Sequence, residues 1–162
     1  MKKIVAIVLA LLTVAALTAC GGNNDKENTE TQLGTSAMSV VLPEGYAETE
    51  DDLDEDQVAY FFKDAESVDF DVYQWAKGNG YVLEEEAAYY AELYATSASE
   101  VTVNGVSGMK YISVEEYDGV AYSVVNYMFD DGKNIVELCF WTDGSEGELA
   151  AVDEIVNTIS VD

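Results

Sequence analysis

The second half of the chain alternates apolar runs with short turn signals, and this pattern limits the possible folds more than any other feature. Residues 101–103 lead into Asn104 and Gly105, the strongest short hairpin signal, because a type I′ turn needs positive φ at both central positions. Three further strands are predicted with turns between them, at residues 109–116, 120–129 and 134–141. Connections this short join antiparallel neighbours, so the pattern predicts an antiparallel meander.

The first half of the chain contains shorter strands and one helix. Residues 38–42 form a candidate strand that ends at a Pro-Glu-Gly turn. Period-two alternation predicts two more strands, the first burying Val58, Tyr60 and Phe62 and the second burying Val68, Phe70 and Val72. A helix is then expected from about residue 83 to 98, with three glutamates in its first turn, where the helix dipole favours them.

A second helix is predicted to close the chain. Ser145 and Glu148 form a capping box at its start, and its apolar stripe consists of Leu149, Val152, Val156 and Ile159. The preceding strand is apolar on both of its phases, which predicts a sheet covered on both faces, and Leu138 is expected to share a core with Val156. The elements together predict an α+β domain, an antiparallel sheet of about five to seven strands with two main helices packed on it.

The order of these elements resembles the PsbP-like fold. The resemblance rests on the stretch from Val41 to Gly45, on the stretch from Val103 to Val106, and on the long meander and closing helix that follow. PsbP-like proteins include PsbP of photosystem II and small bacterial lipoproteins of unknown role. The resemblance implies a non-enzymatic binding or accessory module on a cell surface, most similar to those of Gram-positive bacteria. PsbP binds ions at histidine-containing sites, and this chain has no histidine, so its photosynthetic role is not implied.

The N-terminus has the pattern of a lipoprotein signal peptide. Lys2 and Lys3 precede an apolar run too short to span a membrane, and the sequence from Leu17 to Cys20 forms a lipobox. An ordinary secretory signal with an incidental cysteine is the alternative. We expect a signal peptide at 1–19, a lipidated Cys20 with a flexible tether to residue 36, and a single domain at 37–162. Covalent diacylglycerol on Cys20, with fatty acids such as palmitate, is the only cofactor expected, and it would anchor an extracytoplasmic protein to the cell membrane.

Charge excludes one large class of partner. The chain has 32 acidic and seven basic residues, and loss of Lys2 and Lys3 with the signal peptide changes the formal charge from −25 to −27. Binding to nucleic acid requires basic residues that displace counterions, so nucleic acid is excluded as a ligand. The same charge favours a soluble monomer.

No set of residues indicates catalysis, so we expect a protein that is not an enzyme. The chain has no histidine to activate Cys139, which lies in an apolar strand and is expected to be a core residue. Acidic residues such as Asp69 and Asp71 fall on the solvent-facing phase of their strand, and nothing singles out a pair for glycosidase chemistry.

Two groups of residues are candidate ligand sites. Tyr73, Trp75 and Trp141 lie on one phase of their strands, where they either pack beneath a helix or form an exposed stacking platform for a carbohydrate or a peptide. The stretch 48–56 is rich in carboxylates but lacks the spacing of an EF-hand, so it offers at most weak calcium binding. Its weak candidate ligands are Asp51, Asp52, Asp54 and Asp56. We therefore expect a binding or accessory module whose partner is a protein or a cell-wall ligand.

Overall fold

The computed structural model describes residues 28–49, 53–63 and 68–162, so the lipobox and Cys20 lie outside the described residues. The elements follow in this order: β1 (Thr29–Gln32), β2 (Met38–Leu42), β3 (Ala47–Thr49), β4 (Gln57–Phe62), β5 (Asp69–Ala76), a 3-10 turn (Lys77–Asn79), α1 (Leu83–Leu93), β6 (Ser99–Val103), β7 (Val106–Tyr117), β8 (Val120–Asp130), β9 (Asn134–Thr142), α2 (Glu146–Val156) and β10 (Ser160–Val161). Neither helix in these ranges is long and apolar enough to cross a membrane.

The strands form two antiparallel sheets, as an α+β domain predicts. The larger sheet has seven strands in the order β3-β4-β5-β9-β8-β7-β6, and the smaller has three in the order β1-β2-β10. The predicted meander is present as β6 to β9. Its first two turns use positive φ at Asn104 (50°), Gly105 (83°), Asp118 (50°) and Gly119 (79°), conformations that Asn, Asp and Gly tolerate best. Pairing of β5 with β9 joins the first half of the chain to this meander.

One face of the larger sheet forms the main core with β2 and α2. Phe61, Phe70 and Phe140 stack across three neighbouring strands, with ring centroids 4.8 Å apart in each successive pair. Leu138 and Val156 both belong to this core, which confirms the predicted phase of β9 and α2. Full burial of side chains of this size stabilises a fold by about 1.5–3 kcal/mol each.

The opposite face of the larger sheet is covered only in part. α1 packs on β7 and β8 and buries Leu83, Ala87 and Ala91. These residues form a second core with aromatic and aliphatic side chains of the sheet, namely Trp75, Tyr111, Met128 and Ile135. The two apolar phases of β9 are therefore explained, because one phase faces α2 and the other faces the side of α1. Beyond α1 the second face is open among the described residues.

The burial phase of β4 differs from the prediction. Ala59 and Phe61 are buried, whereas Tyr60 is half-buried and Phe62 is exposed. An irregular register at the start of β4 is followed by direct pairing of Phe61 with Phe70. Residues that pair directly across antiparallel strands share a face, so the partner strand decided the phase of β4.

Helix α1 is shorter than the predicted span of 83–98. It ends in a Schellman motif, in which Thr96 N donates a 2.8 Å hydrogen bond to Ala91 O and Ala95 has a φ of 55°. A left-handed residue cannot continue a right-handed helix. Tyr94 lies at the C-cap of the shortened helix and is 38% exposed.

The ordered sheet begins before the predicted domain boundary. β1 lies inside the stretch expected to be a flexible tether and pairs with β2 along its whole length. Leu33 follows β1 and is fully buried, and its N donates a 2.9 Å hydrogen bond to Met38 O. The tether prediction is therefore wrong for residues 29–36, because backbone pairing and one apolar anchor order a segment whose polar composition does not.

Candidate functional site

A cleft opens on the uncovered part of the second face, beside α1. It has a volume of about 580 Å³, and its floor is built mainly from β4, β5 and β9. Alternate residues of a strand point to the same side, so odd-numbered residues of β5 and β9 supply this floor. Five aromatic residues line the cleft: Tyr60, Tyr73, Tyr117, Tyr122 and Trp141. Three carboxylates line it with them: Asp54, Asp69 and Asp71.

A narrower inner cavity of about 220 Å³ adjoins the cleft. The two share Asp71, Tyr73 and Trp141, and the inner cavity reaches Glu137 and Cys139 on β9. Tyr90 and Tyr94 also line it. None of the lysines that the structure describes lines either space, so the carboxylates there have no cationic partner among the described residues.

Asp71 is the central carboxylate of the cleft and is only 8% exposed. Its Oδ2 accepts a 2.6 Å hydrogen bond from Trp141 Nε1, and its Oδ1 accepts one of 2.6 Å from Gln57 Nε2. Burial raises the pKa of Asp71, and the hydrogen bond from Trp141 opposes that rise. The sequence placed Asp71 on a solvent-facing phase, and that prediction is wrong because the neighbouring strands and the rings of the cleft enclose it.

Asp69 lies beside Asp71 on the same face of β5. Its Oδ2 accepts a 2.7 Å hydrogen bond from the hydroxyl of Tyr60. Its Oδ1 is buried and has no hydrogen-bond partner among the described residues. Burial, followed by the hydrogen bond to Asp69, raises the pKa of Tyr60, so the phenol stays protonated and remains a donor. Burying a carboxylate oxygen without a hydrogen-bond donor lowers the stability of the fold, so the hydrogen bonding of Asp69 is incomplete among the described residues.

Glu137 lines the inner cavity and is 4% exposed. Its Oε1 accepts a 2.6 Å hydrogen bond from the hydroxyl of Tyr111. Burial raises the pKa of Glu137 to about 7, although the hydrogen bonds from Tyr111 and Cys139 act in the opposite direction. Burial, with the nearby charge of Glu137, also raises the pKa of Cys139, so its thiol stays protonated and unreactive.

Two rings of the cleft meet nearly at right angles. Tyr122 on β8 and Trp141 on β9 have ring centroids 5.7 Å apart and an interplanar angle of 80°. Tyr73 and Trp141 are both half-buried, so each presents part of its ring to the cleft. The aromatic lining is therefore a corner of ring surfaces and not a flat platform.

The three aromatics singled out in the sequence are not equivalent in the structure. Tyr73 and Trp141 line the cleft, whereas Trp75 is 7% exposed and packs with Tyr90 of α1 at a centroid distance of 5.8 Å. Trp75 Nε1 donates a 3.2 Å hydrogen bond to Asp56 Oδ2. A platform that includes Trp75 is therefore excluded, because the ring belongs to the core beneath α1.

The candidate calcium ligands are only partly described. Asp51 and Asp52 lie outside the described residues. Asp54 lines the cleft, whereas Asp56 accepts the hydrogen bond from Trp75. No group of three or more acidic or sulfur ligands converges on one point within 28–49, 53–63 and 68–162. Weak calcium binding in this loop remains a prediction.

The site contains residues that reasoning from the sequence did not select. The sequence predicts that Asp69 and Asp71 face solvent and that Tyr60 lies in the core, and it does not single out Glu137. A signal was nonetheless present in β5, where aspartates alternate with apolar residues and then give way to Tyr73 on the same phase. Acids and aromatics on one strand phase indicate a half-buried polar face, but β9 and β4 had to be placed beside it before a cleft could be recognised.

No protein-family model matches the chain, and no curated protein matches it. Its fold is nevertheless similar to that of solved structures. Cyanobacterial PsbP (CyanoP) from Synechocystis sp. PCC 6803 is 10% identical, with 90% of this chain and 99% of that chain covered and a TM-score of 0.64. A protein from Bacteroides thetaiotaomicron VPI-5482 is 17% identical over 81% of this chain, with a TM-score of 0.55.

The chain spans 49% of the length of that Bacteroides protein. The Ran-binding protein Mog1p of Saccharomyces cerevisiae is also similar, at 16% identity over 85% of this chain and 96% of its own, but the TM-score of 0.49 is too low to support an inference. At these identities the comparisons show the fold alone. The chain has a PsbP-like α+β fold, as the order of its elements predicted.

Proposed function

We propose that this protein is a lipid-anchored, extracytoplasmic binding module that acts without catalysis and holds its ligand in the cleft. The observation that carries the proposal is the cleft itself, a space of about 580 Å³ lined by five aromatic side chains and three carboxylates. Ligand sites are concave, have volumes of about 300–1,000 Å³, and combine apolar or aromatic walls with a few polar groups. The cleft meets each of these criteria.

Binding is favoured over catalysis by the way the polar groups are used. Both oxygens of Asp71 accept hydrogen bonds from neighbouring strands, and Asp69 accepts one from Tyr60. These contacts fix the carboxylates in place instead of directing a proton donor or nucleophile at a substrate. The thiol of Cys139 is buried and protonated, and the chain has no histidine to activate it.

The membrane anchor is supported by the lipobox that ends at Cys20. A lipid anchor suits a domain of this charge, because anionic lipid headgroups repel it. The PsbP-like fold also occurs in small surface lipoproteins of bacteria, the group that the sequence resembles. Residues between Cys20 and β1 would separate the domain from the bilayer.

The anchor is tested by replacing the two cysteines separately. Cys20→Ala should release the protein from membranes and abolish incorporation of labelled palmitate, because two acyl chains are needed for a stable anchor. Cys139→Ala is the matched control, since it removes a buried thiol and leaves the lipobox intact. Membrane retention of Cys20→Ala together with normal signal cleavage would show that the protein is not a lipoprotein.

The cleft is tested by the fluorescence of Trp141, which Trp75→Phe isolates as the single tryptophan. A saturable change is expected with a cell-wall sugar probe, chitotriose, or with an ammonium probe, choline. Tyr73→Leu should weaken that response, whereas Tyr89→Leu, an exposed change on α1, should preserve it. If neither probe changes the emission of Trp141, binding in the cleft is refuted.

A carbohydrate is one candidate ligand of the cleft. Tyr73 and Trp141 are half-buried at the cleft, and aromatic faces of this kind stack on sugar rings. The carboxylate of Asp69 could then accept a hydrogen bond from a sugar hydroxyl. A sugar is neutral, whereas the ammonium probe carries a positive charge, so the two probes distinguish these ligand types.

A further inference from the structure

We infer that the cleft selects an organic cation of the quaternary ammonium type. This inference rests on the proposed function and specifies the chemical class of the ligand in the same cleft. Three independent features of the described residues support it: the unbalanced charge of the lining, the enclosed carboxylate oxygens, and the angle between the rings.

Among the described residues, the lining of the cleft has negative charge and no positive charge to balance it. Asp54, Asp69 and Asp71 contribute carboxylates, and no lysine of the described ranges lines the space. The mature chain adds a strongly negative field, because it has 32 acidic residues and few basic ones. A cleft lined by one sign of charge concentrates the field and attracts ligands of the opposite sign.

The carboxylates of the cleft can attract a ligand through their negative charge, without direct hydrogen bonds to it. Asp71 is 8% exposed and already accepts two hydrogen bonds, one at each oxygen. Asp69 accepts one hydrogen bond, from Tyr60 at Oδ2, and its buried Oδ1 has no partner among the described residues, so donors of the described chain offset its charge only in part. A cation in the adjoining space lowers the cost of this buried charge without needing to donate a hydrogen bond.

The aromatic walls provide the contact surface for such a cation. Tyr122 and Trp141 form a corner at 80°, and Tyr60 and Tyr73 also line the space. A cation is attracted to the face of an aromatic ring, and aromatic cages are the usual binding sites of quaternary ammonium groups. Methyl groups on the nitrogen fill such a corner, whereas a strongly hydrated primary amine would lose hydrogen bonds to water there.

A metal ion fits the same residues poorly. Calcium and magnesium need several oxygen ligands that converge on one point. No such group of three exists in the described ranges, and both oxygens of Asp71 are already engaged by neighbouring side chains. A large organic cation with a diffuse charge suits this geometry better, because it contacts the aromatic rings and interacts electrostatically with the carboxylates without direct coordination.

The decisive experiment compares choline with 3,3-dimethylbutan-1-ol, which has the same shape but a neutral carbon in place of nitrogen. Isothermal titration calorimetry with the full mature chain, at ionic strength fixed with sodium chloride, should show choline binding about tenfold more tightly. Chitotriose serves as the neutral sugar probe in a parallel titration. Equal affinity for choline and its neutral analogue would overturn the inference.

Two pairs of variants locate the effect in the cleft. Asp69→Asn keeps the acceptor for Tyr60 and removes one charge, so it should weaken choline binding by about tenfold and leave the neutral analogue unaffected. Asp153→Asn removes the same charge from an exposed position on α2 and should change neither affinity. Tyr73→Phe should retain choline binding, whereas Tyr73→Leu should weaken it. Equal losses from Asp69→Asn and Asp153→Asn would mean that only the overall charge is sensed, which refutes the inference.

The outcomes separate this inference from the proposed function. Saturable binding of chitotriose without binding of choline would leave the binding function standing and refute the cation. Absence of binding by choline, its analogue and chitotriose would refute both. Melting curves of every variant confirm that the fold is intact before the titrations are compared.

Discussion

Trp141 and Asp71 are joined by a 2.6 Å hydrogen bond from the indole Nε1 to the carboxylate Oδ2. The bond links β9 to β5 at the floor of the cleft, and Gln57 of β4 completes the set by donating to Oδ1 at 2.6 Å. Three neighbouring strands therefore hold one carboxylate that is 8% exposed.

Removing the indole donor should destabilise the fold. Trp141→Phe keeps an aromatic ring and leaves Asp71 Oδ2 without its donor, so we expect a loss of about 1.5–3 kcal/mol, the range for hydrogen bonds to charged groups. The bond holds down the pKa of Asp71, so the loss should be largest at neutral and alkaline pH and smaller in acid, where Asp71 is protonated. Urea denaturation at two pH values tests this. A loss that is the same at both would show that the ring, and not the N–H, carries the effect.

Glu137 should make the wild-type protein less stable as pH rises. Burial raises its pKa from 4.5 to about 7, so the folded state holds a proton that the unfolded state has released between these values. Stability from this group is greatest below about pH 4.5, falls as pH rises to about 7, and is constant above it. Glu137→Gln removes the titration, so its stability relative to wild type should increase by about 3 kcal/mol across this window.

Urea denaturation at several pH values measures this difference. Glu154→Gln is the matched control, because it removes the same type of charge from an exposed position on α2. Tyr111, Cys139 and Glu115 also act on the pKa of Glu137, and Glu115 is the charged group that adds to its rise. Parallel stability profiles for wild type and Glu137→Gln would contradict the assigned pKa.

Truncating a main-core side chain on β9 should lower the free energy of unfolding, because β9 pairs the meander with β5 of the first half of the chain. Leu138 is fully buried in the cluster that contains Val156, so Leu138→Ala should lower the free energy of unfolding by about 2–5 kcal/mol. Leu93→Ala, at a position 63% exposed on α1, should cost less than about 0.5 kcal/mol. Similar costs for the two variants in urea denaturation would refute the placement of β9.

Gly108 has no room for a side chain in β7. A Cβ at this position would lie 2.6 Å from Met128 O and 2.5 Å from the ring of Phe129. Gly108→Ala should therefore destabilise the fold by about 1–3 kcal/mol through overpacking. Gly147→Ala offers a control of opposite sign, because nothing lies within 4 Å of its added Cβ in α2, where alanine is favoured by about 1 kcal/mol. Thermal denaturation measures the melting temperatures of the two variants. Equal shifts of the melting temperature would contradict the packing at β7.

Local chemistry in the sequence determined the order of the longer strands and of the two helices, whereas the short strands β1, β3 and β10 were not predicted. Asn104-Gly105 and Asp118-Gly119 adopt the positive φ angles that their residue types allow. The Ser145 side chain accepts a hydrogen bond from Glu148 N, which is one half of the predicted capping box. The other half is not formed, because the Glu148 carboxylate accepts from Asp143 N and not from Ser145 N. The alternation in β9 placed Leu138 in the core. Each of these features depends on residues close together in the chain, so the sequence contains the information directly.

Only the tertiary structure decided which side chains form the cleft. Trp75 and Tyr73 lie two residues apart on one face of β5, yet α1 covers Trp75 and leaves Tyr73 partly open. Asp71 is buried because Trp141, distant in the chain, donates to it across the β5–β9 pair. The phase of β4 likewise followed from its register with β5. The burial and pairing of a strand depend on which other elements pack on it, and a short stretch of sequence does not indicate where a distant helix ends.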